Sequence, residues 1–373
     1  MSIRQQSYLV WPHTACPPAL QTAVGTPRPA LTLDTLDVAR CAWGEILQTA
    51  PRSTALATFF DDLLASGPDL VWRGTGPGLG KEMRRAFSGM FGRFFARAYL
   101  SLFHDFSWFH PIDGDHVFLS PRWMITRYPG AKRDMPDWIC ARPGALALGE
   151  AKGSHQASGA VAGGRPGPIK TAIEQIRGTL ILRGTPNPSG PMTWTPRSVK
   201  GWAVMSRWGI EHGPRSPYLY AYDPSTEGEE LTPEETDDLV QAVAQSHIFL
   251  TARGLGLLKS DQEGVITPAS RRRVRLAGDD DAKRGFLGAI ITPFGLLDLD
   301  LDRAKALAAL LPNPDLVRFV GLDEQMFNAH LRHQPLQPLH RQVIGDLTMV
   351  GSDGLVVAPI EQIGDITEVP TEG

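Results

Sequence analysis

Met135-Pro136-Asp137-Trp138-Ile139 and, further on, Ala147-Leu148-Gly149-Glu150-Ala151-Lys152-Gly153 decide how this chain is read. Each stretch is a short apolar run that carries charge at one end. A β-strand alternates its side chains between two faces, so Glu150 and Lys152, two positions apart, share a face. Arg142-Pro143-Gly144 lies between the runs and has turn chemistry. It folds them into a hairpin that brings Asp137 alongside the other two. Two carboxylates and one ammonium at the end of a sheet have the chemistry of a Mg²⁺ site with a charged lysine beside it.

Working outward, strand periodicity predicts His116–Ser120 and Trp123–Arg127, as two strands or one bent one, then Asp137–Ala141, Ala145–Lys152, Gly201–Trp208 and Tyr218–Tyr222. Residues 1–32 read as an irregular or strand-like lead-in. Helical spacing predicts Leu33–Thr49, then Ser53–Ala65 behind a Ser53 cap, then Lys81–Phe103. That third helix has an apolar stripe (Met83, Phe87, Met90, Phe91, Phe94, Phe95, Ala98, Leu102), and its other face carries Lys81, Arg84, Arg85, Arg93 and Arg97. Gly153–Gly167 reads as a loop, and Pro168–Leu182 as a helix with Pro at its start. Thr232-Pro233-Glu234-Glu235 opens another helix through Leu250 or beyond. Farther on, Ser270–Asp281 reads as a charged loop, Leu301–Leu311 and Leu322–His333 as helices, and Val343–Val350 and Gly354–Ala358 as strand-like. The tail from Ile363 reads as frayed. The alternation gives an α/β fold, a sheet flanked by helices.

With 37 basic and 40 acidic residues the net charge is −3, so a nucleic-acid partner would need a local basic surface. Hydrophobic residues make up 42% of the chain, enough for a sizeable core. Cys16, Cys41 and Cys140 fit neither a disulfide framework nor zinc spacing, which points to a reducing cytoplasm. No apolar run is long enough for a membrane span or a signal peptide. Gly78-Leu79-Gly80-Lys81 lacks the pattern of a phosphate-binding loop. No Gly-x-Ser-x-Gly elbow occurs, and His104, His110 and His116 lack metal-binding spacing.

Pro136-Asp137 with Glu150-Ala151-Lys152 resembles the signature of the PD-(D/E)xK nuclease superfamily, over a matched core from Trp108 to Tyr222. The resemblance implies a restriction-endonuclease-like mixed sheet flanked by helices. A mainly helical N-terminal elaboration would cover 1–105, the nuclease core 106–255, and an α+β C-terminal part for substrate or partner binding 256–373. It implies phosphodiester hydrolysis with Mg²⁺, for which Mn²⁺ can substitute, on nucleic acid and DNA first, as in bacterial restriction or anti-phage defence. Cutting both strands needs two sites, so a homodimer or a protein partner fits. The alternative is a catalytically inactive protein of this fold that serves as a binding subunit.

Within the resemblance, Asp137 and Glu150 are the side-chain metal ligands and the Ala151 carbonyl completes the set. Lys152 orients water and holds charge on the phosphate. Glu82 is the candidate for an additional helix acid, against the plainer reading of an acid favouring the helix dipole; Asp61 and Asp62 are weaker alternatives. Gln175 is a candidate polar residue on the following helix. Thr179 stands where a Gln-x-x-x-Tyr signature would place its tyrosine, which argues against the RecB-like branch. Lys81, Arg84, Arg85, Arg93 and Arg97 on the long helix, with Lys170 and Arg177 on the later one, are candidate phosphate contacts, against plain solvated charges. Arg271–Arg275 is a further candidate contact for a phosphate or a partner.

Overall fold

The computed structural model describes residues 3–8, 17–26, 28, 30–50, 63–65, 70–78, 80–154, 165–187, 190–213, 217–260, 265–269, 271–279, 284–297, 299–311, 313–345 and 347–369. Most of the helix expected at 53–65, with Asp61 and Asp62, lies outside them, as do Cys16 and residues 155–164 of the expected loop. The chain divides into two compact units, one of residues 2–38 and 62–244, the other mainly of 39–61 and 245–373. The division runs through the two helices Thr35–Thr49 and Pro233–Gly254.

The first unit opens with an antiparallel pair, β1 (Ile3–Tyr8) and β2 (Ala30–Asp34). Helix α1 (Thr35–Thr49) follows at once, and the Asp34 carboxylate accepts the Leu36 N–H of its first turn at 2.8 Å. β3 (Val71–Trp72) precedes α2 (Lys81–His104), whose apolar stripe buries Phe91, Phe94, Phe95, Ala98 and Leu100. Then come β4 (Trp108–Pro111), the hairpin of β5 (His116–Ser120) and β6 (Trp123–Arg127), and the hairpin of β7 (Trp138–Arg142) and β8 (Ala145–Ser154). Pro143-Gly144 makes the second turn, with Gly144 at φ 70°, a left-handed conformation glycine takes without strain.

Helix α3 (Gly167–Arg177) stops at Gly178. Thr179 to Leu182, expected to continue it, instead open β9 (Thr179–Thr185). Their apolar spacing suits either state, and pairing with β6 decides for the strand. β10 (Thr193–Ser198), β11 (Lys200–Arg207), β12 (Gly209–Ile210), β13 (Tyr218–Tyr222) and β14 (Glu229–Glu230) lead to α4 (Pro233–Gly254).

A mixed seven-stranded sheet of order β2-β1-β13-β11-β8-β7-β4 organises this unit, and a five-stranded sheet of order β14-β10-β9-β6-β5 lies within the same unit. β4, β7 and β8 run antiparallel, and β11 pairs with β8 in parallel. β1 and β2 belong to the main sheet, so this part of the chain shares a sheet with β7, β8 and β11.

Alternation along β8 sorts the two flanking helices. A Cβ on Gly149 would stand 3.5 Å from Leu100 of α2, and one on Gly153 would collide with the Ser88 carbonyl. From the helix side, a Cβ on Gly92 would stand 2.5 Å from the Gly153 nitrogen. Gly201 of β11, paired with Leu148, faces α3 instead, where its Cβ would stand 2.6 Å from Ile176. Helices α2 and α3 therefore cover opposite faces, and Glu150 and Lys152 point to the α3 side.

The second unit holds β15 (Leu258–Ser260), β16 (Ile266–Pro268), β17 (Arg271–Leu276), β18 (Phe286–Thr292) and β19 (Gly295–Leu297). After α5 (Leu301–Leu310) come β20 (Arg318–Asp323), α6 (Glu324–Leu331), β21 (Gln342–Ile344), β22 (Thr348–Val350), β23 (Leu355–Pro359) and β24 (Ile363–Val369). β17 to β24, without β15 and β16, form an eight-stranded sheet, on which Val274, Phe286, Phe319 and Val356 build a core. Three expectations change here. The charged loop at 270–281 contains β17, the tail from Ile363 is β24 paired with β17, and Leu322 ends a strand before a helix that Asp323 caps. The described residues thus form a mixed α/β structure of several sheets and six α-helices, none long and apolar enough to cross a membrane.

Candidate active site

The hairpin of β7 and β8 comes apart at one end, and the site forms there. β7 pairs with β8 only between Trp138 and Arg142, while β8 runs on through Glu150 to Ser154 beside β11 alone. Side chains take over the ladder at this point. Asp137 Oδ2 accepts the Ala151 N–H at 2.7 Å, and Glu150 Oε2 accepts the Asp137 N–H at 3.0 Å. The N–H and C=O of a strand residue face the same edge, so the Ala151 carbonyl shares the edge that meets Asp137.

Two cations complete the cluster. Lys152 Nζ pairs with Glu150 Oε1 and also donates to Gln175 Oε1 of α3 at 2.7 Å. Arg93 of α2 pairs with Asp137 Oδ1, and its guanidinium lies 4.7 Å over the Trp138 ring. These groups line a cavity of about 420 Å³, bounded also by Arg85, Ser88, Ser154 and Pro168.

Glu150 is only 3% exposed. Its carboxyl is raised to about 8, first by burial and then by the neighbouring Asp137 charge, with Lys152 pulling the other way. A buried carboxylate repelled by a half-buried one beside it is a donor set suited to a hard divalent cation, whose charge reverses that penalty. Among the described residues no three His, Cys, Asp or Glu side chains gather into a metal cage. The set here is two carboxylates and a main-chain carbonyl, which suits Mg²⁺, an ion that keeps several of its waters. The residues present fit such an ion.

No protein-family model, curated protein or solved structure matches this chain. Its site is therefore read from geometry.

Of the residues singled out in the sequence, the structure brings together Asp137, Glu150, Ala151, Lys152 and Gln175, with Arg85 on the cavity wall. Glu82 and Lys81 are exposed at the start of α2 and do not line the cavity; nor does Arg84, which donates to the Gly78 carbonyl at 3.2 Å. Lys170 and Arg177 are exposed on α3 and also lie off it. Arg97, placed by periodicity on a solvated face, is buried with its guanidinium 4.7 Å over Phe109. His104 and His110 are packed in the same unit and pushed down to about 3 and about 4 by burial. In the second unit, Arg272 donates to the Leu299 carbonyl and Arg273 pairs with Glu324 at 2.5 Å, so both serve the fold.

Arg93, a candidate phosphate contact by sequence, lines the cavity, and what the sequence reading missed is its pairing with Asp137. A signal was there. Arg85, Ser88, Gly89, Gly92 and Arg93 follow the i, i+3, i+4, i+7, i+8 spacing of one helix face, a stripe of small residues ended by arginines. That stripe faces β8 and the cavity.

Proposed function

We propose that this protein is a divalent-cation-dependent phosphodiesterase of the PD-(D/E)xK kind, a nuclease with DNA as its first substrate. The observation that carries the reading is the convergence of Asp137, Glu150 and Lys152 on one cavity, at the end of a mixed sheet flanked by α2 and α3. In the hydrolysis, a water oxygen forms a bond to phosphorus and the bond from phosphorus to the leaving sugar oxygen breaks. One water proton passes to solvent, and the leaving oxygen gains one. The cation, when bound, offsets the negative charge that grows on the attacked phosphate.

The chain's own residues do the rest. Asp137, Glu150 and the Ala151 carbonyl hold the cation. Lys152, paired with Glu150, orients the water and holds charge on the phosphate. Gln175 fixes the Lys152 ammonium from the α3 side. A homodimer suits this reading, since cutting a duplex needs two such sites, and a bacterial restriction or anti-phage system suits the chemistry.

The test is cleavage of supercoiled, linear and single-stranded DNA with Mg²⁺ or Mn²⁺. Cleavage that needs the cation and disappears in Asp137→Ala and Lys152→Ala supports the reading. Cleavage indifferent to both substitutions removes it. A second reading is a binding subunit without catalysis, favoured by the fact that each carboxylate already has a resident cation partner. DNA binding without cleavage, unchanged by either substitution, points there.

A further inference from the structure

We infer that Arg93 is the phosphate-binding residue of this site, kept on Asp137 until a divalent cation takes that carboxylate. The inference deepens the nuclease reading and rests on it. Four observations carry it.

The first concerns the two oxygens of Asp137. Oδ2 accepts the Ala151 N–H, and Oδ1 is held by Arg93. A cation gripped through Oδ1 must therefore compete with the guanidinium. The second is exposure. The Arg93 side chain is 28% exposed and that of Asp137 17%, so the pair is partly wetted. Such pairs are weak compared with the attraction of a carboxylate for a divalent ion, and the guanidinium can be displaced.

The third is the Trp138 ring under the guanidinium. A planar cation on an aromatic face keeps that support when its carboxylate is lost, so a displaced Arg93 stays at the cavity. The fourth is charge balance. Asp137 and Glu150 pair with Arg93 and Lys152, and Arg85 stands on the cavity wall as a further cation. Adding a divalent ion leaves the cavity with excess positive charge, which a phosphodiester anion offsets. A guanidinium fork is shaped to grip two phosphate oxygens at once.

Arg93 would thus have opposite effects on the two ligands, against the cation and for the phosphate. A merely structural arginine would not, since its loss would weaken both. The experiment is a titration of Mn²⁺ into the full chain without DNA, read by the paramagnetic resonance of free Mn²⁺, for wild type, Arg93→Gln and Arg93→Lys. DNA cleavage at saturating Mn²⁺ is measured alongside. Circular dichroism melts establish that each variant is folded.

We expect Arg93→Gln to bind Mn²⁺ about tenfold more tightly, as removal of a competing coupled partner allows. We expect its cleavage rate to fall by about a hundredfold, the scale for loss of one charge-stabilising donor. Arg93→Lys keeps the charge without the fork and falls between; should Arg93→Gln not fold, the same pair of opposed shifts in Arg93→Lys decides. Unchanged or weaker Mn²⁺ binding in the variant, or cleavage at the wild-type rate, overturns the assignment while wild-type binding of Mn²⁺ leaves the nuclease reading standing. If neither folded protein binds Mn²⁺, the metal-dependent reading itself falls, and this assignment with it.

Discussion

Two glutamates of the first unit are nearly equally buried and have opposite chemistry. Glu150, midway along β8 where β7 leaves it, is 3% exposed and Glu235 at the start of α4 is 5% exposed. Glu235 sits in a capping box, where its Oε2 accepts the Thr232 N–H and Thr232 Oγ1 accepts the Glu235 N–H, both at 3.2 Å. Arg197 grips both its oxygens at 2.9 Å and Arg183 adds a third contact at 2.6 Å. Those contacts, the Arg197 hydrogen bonds first, hold its carboxyl down at about 2. The Glu150 carboxyl is driven up to about 8, first by burial and then by the rival Asp137, with one lysine pulling the other way. Every demand of Glu235 is met within the fold. Glu150 is left with a conflict, and it faces a cavity. A buried carboxylate at ease belongs to the architecture; one ill at ease at a cavity marks a place for a ligand.

Substitutions can break or sharpen that contrast. The largest expected effect is on chemistry. Asp137→Ala and Lys152→Ala should each lower cation-dependent DNA cleavage by about a thousandfold or more, with the melting temperature little changed. Plasmid cleavage and thermal melts check both halves of that statement. Next comes Glu235→Gln, which strands two arginines and weakens a helix cap. It should cost about 2 kcal/mol in urea unfolding and leave cleavage by the folded fraction intact.

The pH dependence of that cost has a definite sign. The folded carboxyl of Glu235 lies below the unfolded value of 4.5, so its stabilisation is present above 4.5. It is lost as pH falls from 4.5 toward about 2, where the gap between wild type and Glu235→Gln should close. The smallest stability effect is expected for Glu150→Gln. It replaces a carboxyl that burial and Asp137 already hold largely protonated at neutral pH, so unfolding should shift by less than about 1 kcal/mol, while cleavage is lost. If Glu150→Gln unfolds the protein and Glu235→Gln does not, the contrast between the two glutamates is mistaken.

Local chemistry was legible in the sequence. The alternation at Glu150 and Lys152 and the Pro143-Gly144 turn depend on residues close in the chain, and the hairpin follows from them. The long helix over 81–104 announced itself by its aromatic stripe. What stayed hidden was settled by partners far away in sequence. Arg271–Leu276 reads as a charged loop because its arginines mask an alternation in which Val274 and Leu276 are buried. The segment Ile363–Val369 is polar because an edge strand can be held through its main chain, here to β17. Thr179 to Leu182 had helical spacing and became a strand once β6 was there to receive it. The meeting of Arg93 with Asp137 joins a helix to a hairpin 44 residues on. The small-residue stripe of α2 marks the face that carries Arg93, but no local pattern names its partner.

The bare contact between Gly92 and Gly153 has one more consequence. Main chain lies directly on main chain there, with no side chain between to yield like a cushion. Were α2 to slip by a single position, Phe91 or Arg93 would arrive where even a methyl has no room. The joint therefore works as a keyed fitting. It permits one seating of the helix, and that seating sets the reach of the arginine at the cavity's mouth.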